Sequence, residues 1–219
     1  MARTGPAVLL IRHGETDWSR SGRHTSRTDL PLLDEGRPQA EALGRRVAGR
    51  SFALVMTSPM TRARETAELA GLAGVAEVSD DLRELGYGSY EGLTTLEIRA
   101  ERPGWDLWKD GSPGGEPLAE AAARVDRVIA HALDADGDVA LFAHGHILRI
   151  VGARWLSLPP ETAASLALST AALCDLGFER ERRVIWLWND TGHHAAAASD
   201  QRAASSRLRS GRSAPAAGV

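Results

Sequence analysis

The sequence is poor in the residues that build crosslinked and metal-bearing sites. Cys174 is the single cysteine among 219 residues, which excludes an intrachain disulfide and a thiolate metal cluster. Lysine is almost missing as well: Lys109 stands alone, so nearly every cation is an arginine. That bias fits a GC-rich coding sequence and says nothing by itself about phosphate. There is no excess of positive charge. Lysine and arginine total 26 against 29 acidic residues, a net charge of −3, whereas a general nucleic-acid or anionic-membrane binder shows a basic stripe. An anionic ligand must therefore meet a local cluster of cations. No apolar run approaches the ~20 residues of a membrane helix, and the run at 7–11 is too short for a signal-peptide core. A cytoplasmic protein with neither nucleic-acid nor membrane partners is expected.

What is present is ordinary for a folded domain. Hydrophobic residues make up 43% and charged residues 25%, and the length suits one domain with a sizeable core. Residues 7–11 are wholly apolar, as in a buried parallel strand. Residues 12–34 form a long polar stretch, and loops of that length in compact domains usually carry function. Asp34 is placed to cap a helix running to Val47. Residues 53–57 read as a second strand. Ser58-Pro59 follows as an N-cap with proline at the first helical position. Residues 77–79 are a short third strand, and 85–92 a glycine-rich loop. Thr94 and Glu97 have capping-box spacing. Residues 116–133 carry a helical face of Leu118, Ala122, Val125 and Ile129. Residues 139–143 are another apolar strand, followed by a helix over 147–158 and two last strands near 171–178 and 183–188. Alternation of strands and helices predicts an α/β class, a three-layer α/β/α sandwich with a mostly parallel central sheet. The domain is expected over 1–190, with an Ala/Ser/Arg-rich disordered tail at 191–219.

Ligands bind such sheets beyond the carboxyl ends of the strands. The first strand ends in Arg12-His13-Gly14-Glu15-Thr16. The second leads into Ser58-Pro59 and Arg62, the 139–143 strand into His144-Gly145-His146, and Glu84 precedes the glycine-rich loop. Two histidines and two arginines should converge, the composition needed to hold and attack a phosphoryl group. Neutral imidazole is a good nucleophile near pH 7. Arginine binds phosphate oxygens through a planar fork and stays charged. A leaving alkoxide needs a proton, and a dianionic phosphate favours the protonated form of a neighbouring carboxyl such as Glu84. The free N–H groups of the helix after Ser58-Pro59 would add to the anion site.

In this order, Arg12-His13-Gly14, Ser58-Pro59-x-x-Arg62, Glu84 before Gly88 and Glu91-Gly92, and His144-Gly145 resemble the histidine phosphatase (phosphoglycerate mutase-like) superfamily over residues 6 to 190. The resemblance implies that fold. It implies His13 as phosphorylated nucleophile, Arg12, Arg62 and His144 on the phosphoryl oxygens, and Glu84 as proton donor and then base for water. It also implies no metal and no organic cofactor, a small phosphate ester as substrate, and a homodimer as a common assembly. The segments 17–25, 28–32, 87–94 and 142–146 are similar to the sedoheptulose-1,7-bisphosphatase-like group and its bacterial acid phosphatase neighbours. Many members carry Asn where this chain has Ser19. The alternative activity is a phosphoglycerate mutase. That branch has an insertion bearing an Arg-Arg pair and a lysine, whereas here Arg99 and Arg102 are separate and Lys109 is alone. A phosphatase acting on sugar phosphates is therefore expected, and a pure phosphate-binding module is disfavoured because His13 and Glu84 are both present.

Several residues admit two readings. Glu91 and Asp81 rival Glu84. His146 lies two residues from His144, but no carboxylate-rich motif accompanies the pair, so a leaving-group contact or a structural hydrogen bond is preferred to a metal. His24 can line the pocket mouth or face solvent, and by the resemblance Ser19, Thr25, His24 and His146 are expected to bind substrate or phosphate. Trp105 and Trp108 can wall a sugar site or fill the core. His193 and His194 are expected to have no specific role, and the arginines beyond 200 to be solvated.

Overall fold

The computed structural model describes residues 4–194. Six strands form one sheet, β1 (Thr4–Arg12), β2 (Leu54–Thr57), β3 (Ala76–Val78), β4 (Val139–Ala143), β5 (Leu173–Glu179) and β6 (Arg182–Asp190). Their order is β3-β2-β4-β1-β5-β6. The first four are parallel to one another, and β5 and β6 add an antiparallel hairpin at the β1 edge. The central strands are apolar throughout because both faces are covered. All of β2 and β4 is buried.

Side chains alternate across β1, and each face meets its own helices. Leu9 and Ile11 pack with Leu43 and Val47 of α2 (Gly36–Val47) and Ala67 of α3 (Thr61–Leu69). Val8 and Leu10 face the larger core, which includes Val125 and Ile129 of α6 (Leu118–Leu133) and Leu148 and Val151 of α7 (Gly145–Trp155). Each fully buried Leu or Val contributes about 1.5–3 kcal/mol, which makes these two faces the main source of stability. The smaller helices α1 (Asp17–Ser21), α4 (Thr95–Glu101) and α5 (Leu107–Asp110) lie in the connections.

The parallel register aligns the strand ends. Arg12 pairs with Ala143 and Thr57 with Phe142. The backbone N–H of His13 then donates to Ala143 (3.0 Å), and that of Ser58 to Phe142 (2.9 Å). His13, Ser58 and His144 thus leave the sheet side by side.

Some local expectations are corrected. Helix α2 starts at Gly36 with Glu35 as N-cap and no side-chain cap, so Asp34 does not serve. Helix α3 starts at Thr61, not Ser58-Pro59, and Met60 occupies its cap position. Its opening N–H is taken by Asp29, which accepts from Thr61 N at 2.8 Å and Thr61 Oγ1 at 2.7 Å. That helix end is therefore committed to a carboxylate of the chain itself. The 12–34 stretch contains α1, held by a capping box in which Ser19 takes the place of the usual Glu. Beyond the border expected at 190/191, His193 is buried and its Nε2 meets Ala171 O at 2.9 Å. Residues 195–219, where the disordered tail is expected, lie outside the described residues. Among the described residues no helix is long and apolar enough to cross a membrane.

Candidate active site

A cavity of about 210 Å³ opens above the carboxyl ends of β1 and β4. Arg12, His13 and Glu84 line its inner part, with Gly145 at the start of α7. His13 is 5% exposed, and its Nδ1 lies 2.7 Å from the Gly14 carbonyl. A carbonyl only accepts, so Nδ1 carries the proton and the neutral ring keeps its lone pair on Nε2. Burial, then the cations Arg12 and Arg62, push the His13 pKa well below 6.5. The histidine with nucleophile geometry is thus also held neutral.

Glycine is required where this loop meets α2. A Cβ on Gly14 would lie 2.7 Å from the Gly36 carbonyl oxygen, and one on Gly36 would lie 2.4 Å from that of Glu15. Arg12 is anchored by its Nη1, which donates to Leu168 O at 2.5 Å, while its buried Nε–H has no partner. An unpaired guanidinium N–H beside an imidazole lone pair suits an anionic group.

His144 and Arg62 lie beneath this floor and do not line the cavity. Both are fully buried. Arg62 Nε donates to His144 Nδ1 at 3.1 Å, which leaves the proton on Nε2, 2.7 Å from Ser58 Oγ. The remaining Arg62 donors reach the carbonyls of Thr28 (3.0 Å), Ser26 (3.2 Å) and Thr25 (3.3 Å). Arg62 therefore fixes the tautomer of His144 and pins the 25–28 loop. Burial, then Arg62, holds the His144 pKa well below 6.5.

Among the described residues, Glu84 is the sole carboxylate lining the cavity. Its Oε1 accepts from Leu85 N (2.9 Å) and Ile147 N (2.8 Å), and its Oε2 from His146 N (3.0 Å). It thus caps α7 across 62 and 63 residues of sequence, in place of a side-chain cap from His144. The rivals are engaged elsewhere. Glu91 accepts from Ser26 N and Thr28 N, and Asp81 pairs with Arg127 at 2.6 Å. Behind Glu84, the largely buried Arg124 grips Glu116 through two bonds and takes the carbonyls of Asp81 and Arg83.

The outer wall contains Ser19, Arg23, His24, Thr25, Tyr87, His146 and Arg149. Ser19 and Thr25 line the cavity, and their hydroxyl protons are committed to Thr16 O (3.0 Å) and Arg23 O (3.0 Å). His24 and His146 stand parallel, with centroids 6.2 Å apart. Trp105 and Trp108 belong to the core behind them, their rings 5.6 Å from His24 and 5.3 Å from His146. They back the histidines and do not line the cavity.

Sequence reasoning assigned no role to Arg23, Arg149 or Tyr87. For Arg149 a signal existed: it lies one helical turn after Gly145 and so shares its face. It lies over the Trp108 ring at 4.7 Å and donates to Ala163 O at 2.9 Å. Arg23 and Tyr87 left no periodic signal, because the bridge between Arg23 and Thr94 that joins their two loops is non-local.

Comparison with known proteins shows the family. Residues 8–191 match the profile of the histidine phosphatase superfamily, branch 1. An acid phosphatase of Mycobacterium tuberculosis is 43% identical over 85% of this chain and 93% of that protein. Sedoheptulose 1,7-bisphosphatase of Saccharomyces cerevisiae is 36% identical over 70% of this chain and 68% of that protein. A solved structure of a Mycobacterium tuberculosis open reading frame product superposes with a TM-score of 0.82 at 42% identity, covering 87% of this chain and all of that one. With the sheet order, the His13 loop and a match spanning nearly all described residues, the chain belongs to branch 1 of the histidine phosphatase superfamily and is a phosphatase.

Proposed function

We propose that the protein hydrolyses small phosphate monoesters, sugar phosphates among them, through a phosphohistidine on His13. The observation that carries this is the Nδ1–H bond from His13 to the Gly14 carbonyl. It turns a neutral ring's Nε2 lone pair to a cavity that also holds Arg12 and Glu84.

In the first step Nε2 of His13 attacks phosphorus, the bond to the ester oxygen breaks, and Glu84 gives its proton to the departing alkoxide. Oε1 of Glu84 already accepts two N–H groups and Oε2 one, so Oε2 has the freer lone pair to carry the transferred proton. In the second step Glu84 takes a proton from water, the oxygen attacks phosphorus, and the N–P bond breaks to release inorganic phosphate. Arg12 neutralises the equatorial oxygens in both steps. Arg62 acts through His144 and the 25–28 loop, holding the floor under His13. Neither step requires a metal or an organic cofactor.

The test is inorganic phosphate release in EDTA from sedoheptulose 1,7-bisphosphate, fructose 1,6-bisphosphate, 3-phosphoglycerate and p-nitrophenyl phosphate, with trapping of labelled enzyme in an alkaline detergent quench. Wild type should release phosphate and carry alkali-stable, acid-labile label, and His13→Ala should do neither. Wild-type-like turnover by His13→Ala removes the nucleophile assignment. Conversion of 3-phosphoglycerate to its isomer without phosphate release favours a mutase.

A further inference from the structure

The two parallel histidines on the outer wall have opposite hydrogen-bonding polarity. His24 Nδ1 lies 2.8 Å from the Leu93 carbonyl. A carbonyl only accepts, so this nitrogen carries the proton and neutral His24 presents a lone pair at Nε2. His146 is arranged the other way. Its Nδ1 lies 2.5 Å from the hydroxyl of Tyr87, which is 2% exposed. Among the described residues the Tyr87 hydroxyl has no other acceptor. Donating to His146 Nδ1 is the arrangement that leaves no buried O–H unsatisfied. The His146 proton is then on Nε2. Burial, reinforced by Arg149, His24 and Arg12, also pushes its pKa well below 6.5, so the ring is neutral.

We propose that His24 and His146 read a hydroxyl group on the alcohol being released, with Tyr87 as the positioning residue that sets the polarity of the pair. A hydroxyl can accept from His146 Nε2–H and donate to His24 Nε2. A carboxylate or phosphate oxygen at the same place can only accept, and would oppose the His24 lone pair. The pair therefore selects hydroxylated leaving groups over acidic ones. The inference rests on the phosphatase reading and narrows its substrate class to polyol and sugar phosphates. Binding to a site built to hydrogen-bond a hydroxyl discriminates strongly, because an analogue without it leaves buried polar groups unpaired.

The experiment uses wild type and Tyr87→Phe with sorbitol 6-phosphate and p-nitrophenyl phosphate, together with ¹⁵N NMR of the imidazole rings. Wild type should show His146 as the Nε2–H tautomer. In Tyr87→Phe the Nδ1–H tautomer should become populated, and kcat/KM for sorbitol 6-phosphate should fall about five- to tenfold more than for p-nitrophenyl phosphate. A purely structural role for Tyr87 would lower both substrates equally. That result, or an Nδ1–H tautomer of His146 in wild type, overturns the proposal. Failure of wild type to hydrolyse either compound overturns the phosphatase reading beneath it. The two failures are distinct, since in the first p-nitrophenyl phosphate is still hydrolysed by wild type.

Discussion

The Gly14 carbonyl decides which ring nitrogen of His13 keeps its proton. Burial, and then two arginines, oppose a second proton. NMR titration of His13 should give a midpoint well below 6.5. In Arg12→Leu the midpoint should rise, because a cation that penalised imidazolium is gone. A wild-type midpoint at or above 6.5 would contradict the arrangement. Residue identities at this scale were legible in the sequence: His13, Arg12 and Glu84 all reach the cavity. Their partners were not. Arg62 is expected from its motif to hold phosphate, and what the spacing did not show is that its donors also meet His144 and three loop carbonyls, contacts that bridge up to 82 residues of sequence.

Among the elements, local caps were readable and distant ones were not. The Thr94–Glu97 box forms in both directions, at 2.7 and 3.2 Å, because both partners lie within one turn. Ser58-Pro59 carried an equally strong local signal, but the hydroxyl of Ser58 is claimed by His144 and α3 is capped by Asp29 instead. Asp29→Ala should therefore cost about 1 kcal/mol. The change should appear as a lower urea midpoint with an unchanged m value. No change in midpoint would show that the Asp29 bonds add nothing to α3. Helix α1 escaped notice because five residues are too few for a periodic pattern.

For the whole molecule, concentrating buried histidines at one sheet edge has a thermodynamic consequence. His13, His144 and His146 all have pKa values held well below 6.5, by burial first. Their unfolded counterparts protonate near 6.5. Below that pH the unfolded chain binds more protons than the folded one, so stability present above 6.5 is lost as pH falls toward the folded values. Each histidine adds up to about 1.4 kcal/mol per pH unit to that loss. Thermal unfolding followed from pH 7.5 to 5 should show Tm falling steadily below 6.5. A flat Tm over that range would mean that these histidines titrate normally in the folded state.

The sequence by itself determined the strands, the main helices, the order of the chemical residues and hence the layered α/β fold. Apolar runs and helical periodicity are local properties that survive without a partner. Only the tertiary structure decided how the side chains divide their work. It put Arg62 and His144 under the floor and turned Arg149 and Arg23 to the cavity. It aimed Glu84 at the start of α7 and gave His24 and His146 opposite polarity. Those outcomes depend on single hydrogen bonds between segments far apart in the chain, and a proton on one nitrogen or the other leaves no trace in residue spacing.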